Sequence, residues 1–428
     1  MGSGRRPAWR HLILWSLILG AWSRTPGMAA APADLPARVQ ALVRQLNAPD
    51  LSVRQTAERD LTELGPEVLP LLPPLTPQIP AEVRERLTRI RGALERGALE
   101  QRLRTSRVTL NGDLTVPDAL DRIQQQTGNR LSGHQGRPGT VTLDLTDVPF
   151  WQALDDVLDQ AQLDINPFAG QAQTLVLVSK PPSEQPRRKL AVYSGNFRFE
   201  IVRIESRRDL RAPELSTLRI TLGIAWEPRL APISLRQPIS ALQAVDAGGS
   251  DLILRDHGGV LNASVESGIT ASEIALPLRL PPRSVPQISR LSGTIEVLVP
   301  GGRERFEFPD LTRPAEQRKA AACVTLERWR KNLDVYEARL RVRFDDPGSA
   351  LDSHRGWIYR NEAYLLDANQ KRVENVGLQL LQQGAGELQV AYLFDLTNGG
   401  EGYRFVYETP ALIERMSVPY EFRDIVLP

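Results

Sequence analysis

Cysteine is almost absent from this chain. Its 428 residues include one, Cys323, so no disulfide can form within the molecule. Histidine is scarce as well, with four in all, and His11 lies in the leader. A zinc site needs three or four His or Cys ligands close together, and the mature chain does not supply them. A thiolate nucleophile needs a partner base, and the run Ala322–Leu326 around Cys323 alternates like a strand. A buried, inert thiol is the expectation there. An excess of one charge is missing too. The 53 Lys and Arg residues face 51 Asp and Glu, leaving +2, which makes no case for nucleic acid. There is no Gly-x-Ser-x-Gly elbow, no phosphate-binding loop and no dinucleotide fingerprint. Beyond the leader there is no second long apolar run, so no membrane span is expected in the mature chain.

The leader has a clear pattern. Arg5, Arg6 and Arg10 precede the apolar run Leu12–Trp22, and Pro26–Ala31 offers small residues for cleavage. Residues 1–31 therefore read as a secretory signal peptide. No cysteine follows the run, which excludes a lipoprotein anchor. The expected location is the periplasm or the exterior of a bacterial envelope. Whether the leader is cleaved or serves as an anchor is open at the level of sequence.

The rest divides by periodicity. Residues 33–104 repeat apolar positions at helical spacing, as in Leu35, Val39, Leu42 and Leu46, then Val83, Leu87, Ile90 and Leu94. From 107 to 179 two strand–helix units follow in tandem. Val141, Leu143 and Leu145 alternate with polar residues, and Trp151, Leu154, Val157 and Leu158 then recur at helical spacing, with Asp155, Asp156 and Asp159 on the opposite face. Val108–Leu110 and Val116–Asp121 form a weaker copy, and Thr174–Val178 closes the unit. Residues 180–190, Pro-rich and charged, read as a linker. Short alternating strands fill 191–312 and 320–428, punctuated by Gly248-Gly249, Gly258-Gly259 and Gly301-Gly302. The two stretches echo each other. Ala244-Val245-Asp246-Ala247 matches Leu365-Leu366-Asp367-Ala368, and Phe306–Leu311 matches Tyr420–Ile425. A duplicated antiparallel β-sandwich is expected, joined near 312–319, with a final strand pinning the end of each unit. The fold class is thus multidomain α+β.

Two stretches resemble known families. The run Val141–Leu158 with the strand Leu163–Ile165 resembles the short N-terminal domain of secretins and TonB-dependent receptors. That resemblance covers about 107–179 and implies a small βαβ fold that docks other envelope proteins and carries no catalytic residues. Neither a secretin pore nor a membrane barrel follows it. Asp50, Val53, Arg54, Ala57, Leu61, Leu64, Gly65 and Pro66 resemble a HEAT-type repeat. Fewer than two repeats are visible, which implies a short helical cap. The β-units are immunoglobulin-like by fold analogy alone, since the Cys–Trp–Cys signature is missing.

Few residues invite chemistry. Asp251, Asp256 and His257, or Asp345, Asp346, Asp352 and His354, carry oxygen ligands without the spacing of a calcium loop. Glu266, Glu273 and Glu296 would have to converge for a glycosidase pair. Asn262-Ala263-Ser264 is a glycosylation sequon. Phe150, Trp151, Trp357 and Tyr359, with Trp329, are candidates for partner docking, against a reading as core residues. No catalytic, metal or cofactor residue is assigned. The expected function is an exported, non-enzymatic scaffold docking an envelope protein or polysaccharide. The alternatives are a subunit of an envelope transport assembly and a hydrolase whose site forms between domains.

Overall fold

The computed structural model describes residues 35–428 apart from 77, 182–184, 255–257, 264, 267, 320–321, 334, 345–360, 385–386 and 397–398. The expected leader, His257, the Asp345–His354 cluster, Trp357 and Tyr359 lie outside the described residues. The fold is mixed α and β, mostly β, with several sheets.

Three helices come first: α1 (Leu35–Gln45), α2 (Leu51–Glu63) and α3 (Ala81–Leu103). Their apolar stripes meet in one core around Val39, Leu61, Leu87 and Ile90. The end of α3 leaves that core. Leu99 joins the interior of the β-rich part, and Arg102 donates to the carbonyl oxygens of Pro300, at 3.2 Å, and Gly301.

The tandem strand–helix units follow. They comprise β1 (Arg107–Thr115), α4 (Val116–Thr127), β2 (Arg130–Ser132), β3 (Thr140–Pro149), α5 (Phe150–Ala161), β4 (Leu163–Asn166) and β5 (Thr174–Ser179). β1 pairs antiparallel with β3, and a second sheet runs β2-β5-β4. Thr115 caps α4, its Oγ1 accepting from the Asp118 N–H at 3.2 Å. The α4 and α5 stripes pack on the inner faces of β1 and β3, with Phe150, Trp151 and Leu154 fully buried.

The β-rich part repeats one wiring. The first unit holds β6 (Ala191–Ser194), β7 (Phe197–Arg207), β8 (Thr217–Trp226) and β12 (Ala271–Arg279), in the order β12-β8-β7-β6. The second holds β14 (Ala315–Lys319), β15 (Ala322–Asn332), β16 (Val335–Phe344) and β20 (Glu387–Phe394), in the matching order β14-β15-β16-β20, with β19 (Gly377–Gln383) added at the end. Both face a single larger sheet built on β13 (Gln287–Phe308) and β21 (Arg404–Val426). β9 (Ser234–Pro238), β10 (Gln243–Asp246) and β11 (Val260–Ala263) extend that sheet at the first unit. β17 (Glu362–Leu366) and β18 (Arg372–Glu374) extend it at the second.

The repeat extends to individual hydrogen bonds. Asp246 Oδ1 accepts from the N–H of Gly248 (2.8 Å) and Ser250 (2.9 Å). Asp367 Oδ1 accepts from Asn369 and Lys371, each at 2.8 Å. In both turns the fourth residue has positive φ, Gly249 at 83° and Gln370 at 64°.

The sequence led us to expect that each final strand pins its own unit. The structure corrects this. β13 and β21 are long enough to cross between units, and their ladder is continuous from Gln287–Val426 to Phe308–Phe405. Phe306 and Phe308, at the end of β13, enter the core of the second unit. Val418, Tyr420, Phe422 and Ile425, at the end of β21, enter the core of the first. The exchange is reciprocal. In the repeat Phe308 corresponds to Phe422 and Leu291 to Phe405. The ladder pairs Leu291 with Phe422 and Phe308 with Phe405, so swapping the units leaves the pairing unchanged.

Pro300-Gly301-Gly302 therefore does not end a strand; it lies inside one. The missing side chain at Gly301 gives the reason. A Cβ there would stand 2.8 Å from Leu412 Cδ2 on the partner strand.

Candidate functional site

Two buried charge clusters hold the small α/β unit against the first β-unit. Asp155, on α5, is fully buried. Its Oδ1 accepts from Arg187 Nε at 2.8 Å, and its Oδ2 from Arg198 Nε at 2.6 Å and the Tyr193 hydroxyl at 2.8 Å. Burial alone would raise the Asp155 carboxyl, but the Arg198 and Arg187 guanidinium groups outweigh it and hold it below the usual carboxylate range. Burial and the adjacent carboxylate push the Tyr193 phenol well up. Around this centre Lys180 Nζ lies 3.1 Å from Asp159 Oδ1, Arg187 also meets Asp164, and Arg188 meets Asp156. The Asp159 carboxylate further accepts from the backbone N–H groups of Arg187 (2.7 Å) and Arg188 (3.0 Å).

Residues 180–190 are thus no free linker over their described part. They bind along the acidic face of α5 like a strap. The inner member of that face, Asp155, is buried. A signal was present: three acids on one helical face, followed by Lys180, Arg187 and Arg188.

The second cluster centres on Glu227, also fully buried. Its carboxylate accepts from the Ser106 hydroxyl (2.6 Å), Arg229 Nε (2.7 Å), Asn129 Nδ2 (2.9 Å) and the Ser106 N–H (3.2 Å). Arg229 donates onward to the carbonyls of Gln101 and Arg104 at the end of α3. One carboxylate therefore ties together α3, the start of β1, the end of α4 and the residues after β8. No local pattern marks Glu227 in the sequence.

The residues on either side of Glu227, Trp226 and Pro228, line a cleft of about 500 Å³ where the helices, the small unit and both β-units meet. Arg102 reaches it from α3, Gln173 from the small unit, Glu266 from the loop before β12, Arg303 from β13 and Glu362 from β17. Arg303 Nη1 and Glu362 Oε1 stand 3.9 Å apart. Burial, with Arg229 nearby, lowers the Arg102 guanidinium. Pro228, Pro232, Pro300 and Pro410 give the cleft rigid apolar walls. Such a site can grip an extended polar chain between opposite charges.

The residues singled out from sequence fare unequally. Phe150 and Trp151 are buried, with their rings packed edge to face at 5.2 Å. Trp151 Nε1 donates to the Asn196 carbonyl at 3.0 Å. Trp151 thereby joins the small unit to the residues before β7, and neither ring presents a surface to a partner, which corrects their reading as docking residues. Trp329 stacks on Tyr336 and donates to Gly400 O at 3.2 Å. Of the three glutamates, Glu266 alone lines the cleft. Glu296 pairs with Arg236 at 3.2 Å, and Glu273 is exposed on β12, so the three do not converge. Asp251 Oδ1 accepts from the Ile253 N–H at 3.0 Å, as a turn former does. Cys323 is buried. Among the described residues no cluster of three or more His, Cys, Asp or Glu side chains is placed to hold a metal, and no helix is long and apolar enough to cross a membrane.

Comparison with protein-family models, with curated proteins and with solved structures finds no match for this chain.

Proposed function

We propose that this chain is an exported, non-enzymatic scaffold that docks a protein or polysaccharide of the bacterial envelope. In this reading residues 33–104 are a HEAT-like cap and 107–179 a module of the secretin and TonB short N-terminal type. Residues 191–312 and 320–428 are immunoglobulin-like sandwiches joined by strand exchange. The partner lies in the central cleft. The observation that carries the proposal is the convergence there of five side chains from five segments, Arg102, Gln173, Glu266, Arg303 and Glu362. The Glu227 cluster fixes the end of α3 against the residues after β8, and Arg102, Trp226 and Pro228 of those segments line the cleft. A binding site needs such a fixed frame, because ordering loose parts on binding opposes affinity.

The test is co-purification from the native envelope fraction, comparing the unaltered chain with Glu266→Arg and Arg303→Glu. A stoichiometric partner that both variants lose, with thermal melting unchanged, supports the reading. A partner retained by both variants rejects the cleft. Turnover of an envelope polysaccharide that Glu266→Gln abolishes would replace the scaffold with a hydrolase.

A further inference from the structure

We infer that the end of the β7–β8 hairpin, where Leu210 and Leu215 stand among arginines, docks this chain on an anionic lipid surface. The inference goes beyond the proposed scaffold role and does not depend on the cleft.

The β7–β8 ladder stops at Arg207 and Thr217, and residues 208–216 close the hairpin. Two leucines stand out from that tip. Leu210 is 87% exposed and Leu215 63% exposed. A single exposed leucine is ordinary on a protein surface. Two on one tip offer apolar area that contact with an apolar medium would remove from water.

The charges around them are mostly positive. Arg207, Arg208 and Arg211 belong to the tip, and Arg279 and Arg283 adjoin it. Arg207 and Arg279 flank Thr217 on neighbouring strands, and Arg208 Nη2 donates to the Pro281 carbonyl at 2.8 Å. All five are exposed, and among the described residues none makes an ion pair. Elsewhere on the sheets arginines do find carboxylates, as Arg236 finds Glu296 and Arg341 finds Glu327. Three acids lie near. Asp209 accepts from the N–H groups of Arg211 (2.9 Å) and Ala212 (2.8 Å). Asp251, next to the Leu252 carbonyl that Arg279 N–H reaches, accepts from the Ile253 N–H. Glu214 is the third. Further along the ladder Glu205 and Arg219 face each other and balance.

Charge, backbone and shape together select the occupant. Arginine heads suit phosphate headgroups, and their stems tolerate the apolar boundary beneath. Unpaired backbone groups are costly in lipid, and this tip satisfies its own. Besides the two bonds to its carboxylate, the Asp209 N–H reaches Ser216 Oγ at 3.1 Å. The Leu215 N–H reaches the Ala212 carbonyl at 2.9 Å, and the Ser216 N–H reaches that of Pro213 at 3.1 Å. Pro213 has no N–H to satisfy. An added strand would find few donors left to pair with. An acidic protein would have to bring a pocket for each freestanding leucine, whereas lipid closes around them without one.

The experiment is flotation of the full chain with vesicles of phosphatidylcholine containing about one-third phosphatidylglycerol, beside vesicles of phosphatidylcholine alone. The expected result is binding to the anionic vesicles only, weakening as salt is raised. Leu210→Ser combined with Leu215→Ser should weaken it at least about tenfold. Arg207→Gln and Arg211→Gln should each weaken it roughly fivefold. Leu333→Ser, at the β15–β16 turn where Leu333 is 88% exposed, should leave it unchanged. Thermal melting should be unaltered in every variant. In Leu210→Trp the added indole should be quenched by brominated acyl chains. No binding to the anionic vesicles overturns the inference. So does binding that survives the loss of both leucines, or an added indole that bromine leaves unquenched. Binding of soluble polyglutamate that the arginine variants lose and the leucine variant keeps overturns it too, by assigning the tip to an acidic protein.

Discussion

The two β-units share strand order, an aspartate-closed turn and reciprocal final strands, yet their surroundings differ. The first is covered: α3 sends Leu99 into its core, and the small α/β unit is clamped to it through Asp155 and Glu227. The second carries no comparable cover among the described residues and keeps an uncharged edge at β19. One strand order thus appears in two contexts, and the difference shows where added segments bind. Where the small unit meets the first, Asp155, Arg198 and Glu227 are buried and paired. In the second unit Arg372 meets Glu362 and Glu374 on the sheet surface, and the buried Glu337 pairs with the partly exposed Arg330 and Arg339.

The sharpest way to break the comparison is to cut the exchange. Deleting 413–428 removes the last residues of the second repeat but empties places in the first core. Val418, Tyr420, Phe422 and Ile425 are all buried there. Each large apolar side chain contributes roughly 1.5–3 kcal/mol, so together they rival the 5–15 kcal/mol that holds a typical domain. We expect hydrogen exchange to show β7 and β8 losing protection while β15 and β16 keep it. Loss confined to the second unit would show that each unit closes on itself.

That exchange was not legible in the sequence, and the reason is physical. Ile295–Val299 and Tyr420–Ile425 alternate like ordinary strands, and an alternating strand does not name its partner. Pro300-Gly301-Gly302 carries the residues of a turn, and only the proximity of Leu412 explains glycine inside a strand. What was legible is local. The helical stripes of α3 and α5, the paired strand–helix units and the repeated Asp246 and Asp367 turns all depend on neighbours in sequence. The site was mostly hidden, because the Asp155 clamp joins acids on one helix to basic residues at 180, 187, 188 and 198. Trp151 was singled out, but its partner, the Asn196 carbonyl, lies 45 residues away in sequence.

A second test sets a clamp with buried cations against one whose cations reach water. Asp155→Ala leaves Arg198 and Arg187 without their buried carboxylate, which should cost about 3–5 kcal/mol in urea unfolding. In the second unit Glu337 pairs with Arg330 and Arg339, whose side chains are 45% and 29% exposed. Glu337→Ala should cost about 1 kcal/mol or somewhat more, because water can still reach the guanidinium groups. Acid should separate the two carboxylates from a neutral residue. The Asp155 pKa is lower folded than unfolded, so its contribution is present above the unfolded value of about 3.9 and is lost as pH falls through the folded value. The stability gap between the unaltered chain and Asp155→Ala should hold from neutral pH to about pH 4 and close below it. A gap that closes near neutrality would assign the effect to another group.

The smallest effect tests the likeness of the units directly. Asp246→Ala and Asp367→Ala each remove two backbone hydrogen bonds to one carboxylate oxygen. A hydrogen bond to a charged group contributes about 1.5–3 kcal/mol when buried and less when water replaces it. Asp246 is buried at 3% exposure, whereas Asp367 is half-buried. We therefore expect losses of about 2 kcal/mol for Asp246→Ala and about 1 kcal/mol for Asp367→Ala, adding in the double variant because the turns share no partner. Equal losses would mean that the cover over the first unit adds nothing at this turn. A reversed order would mean that the two turns, alike in geometry, differ in the unfolded chain instead.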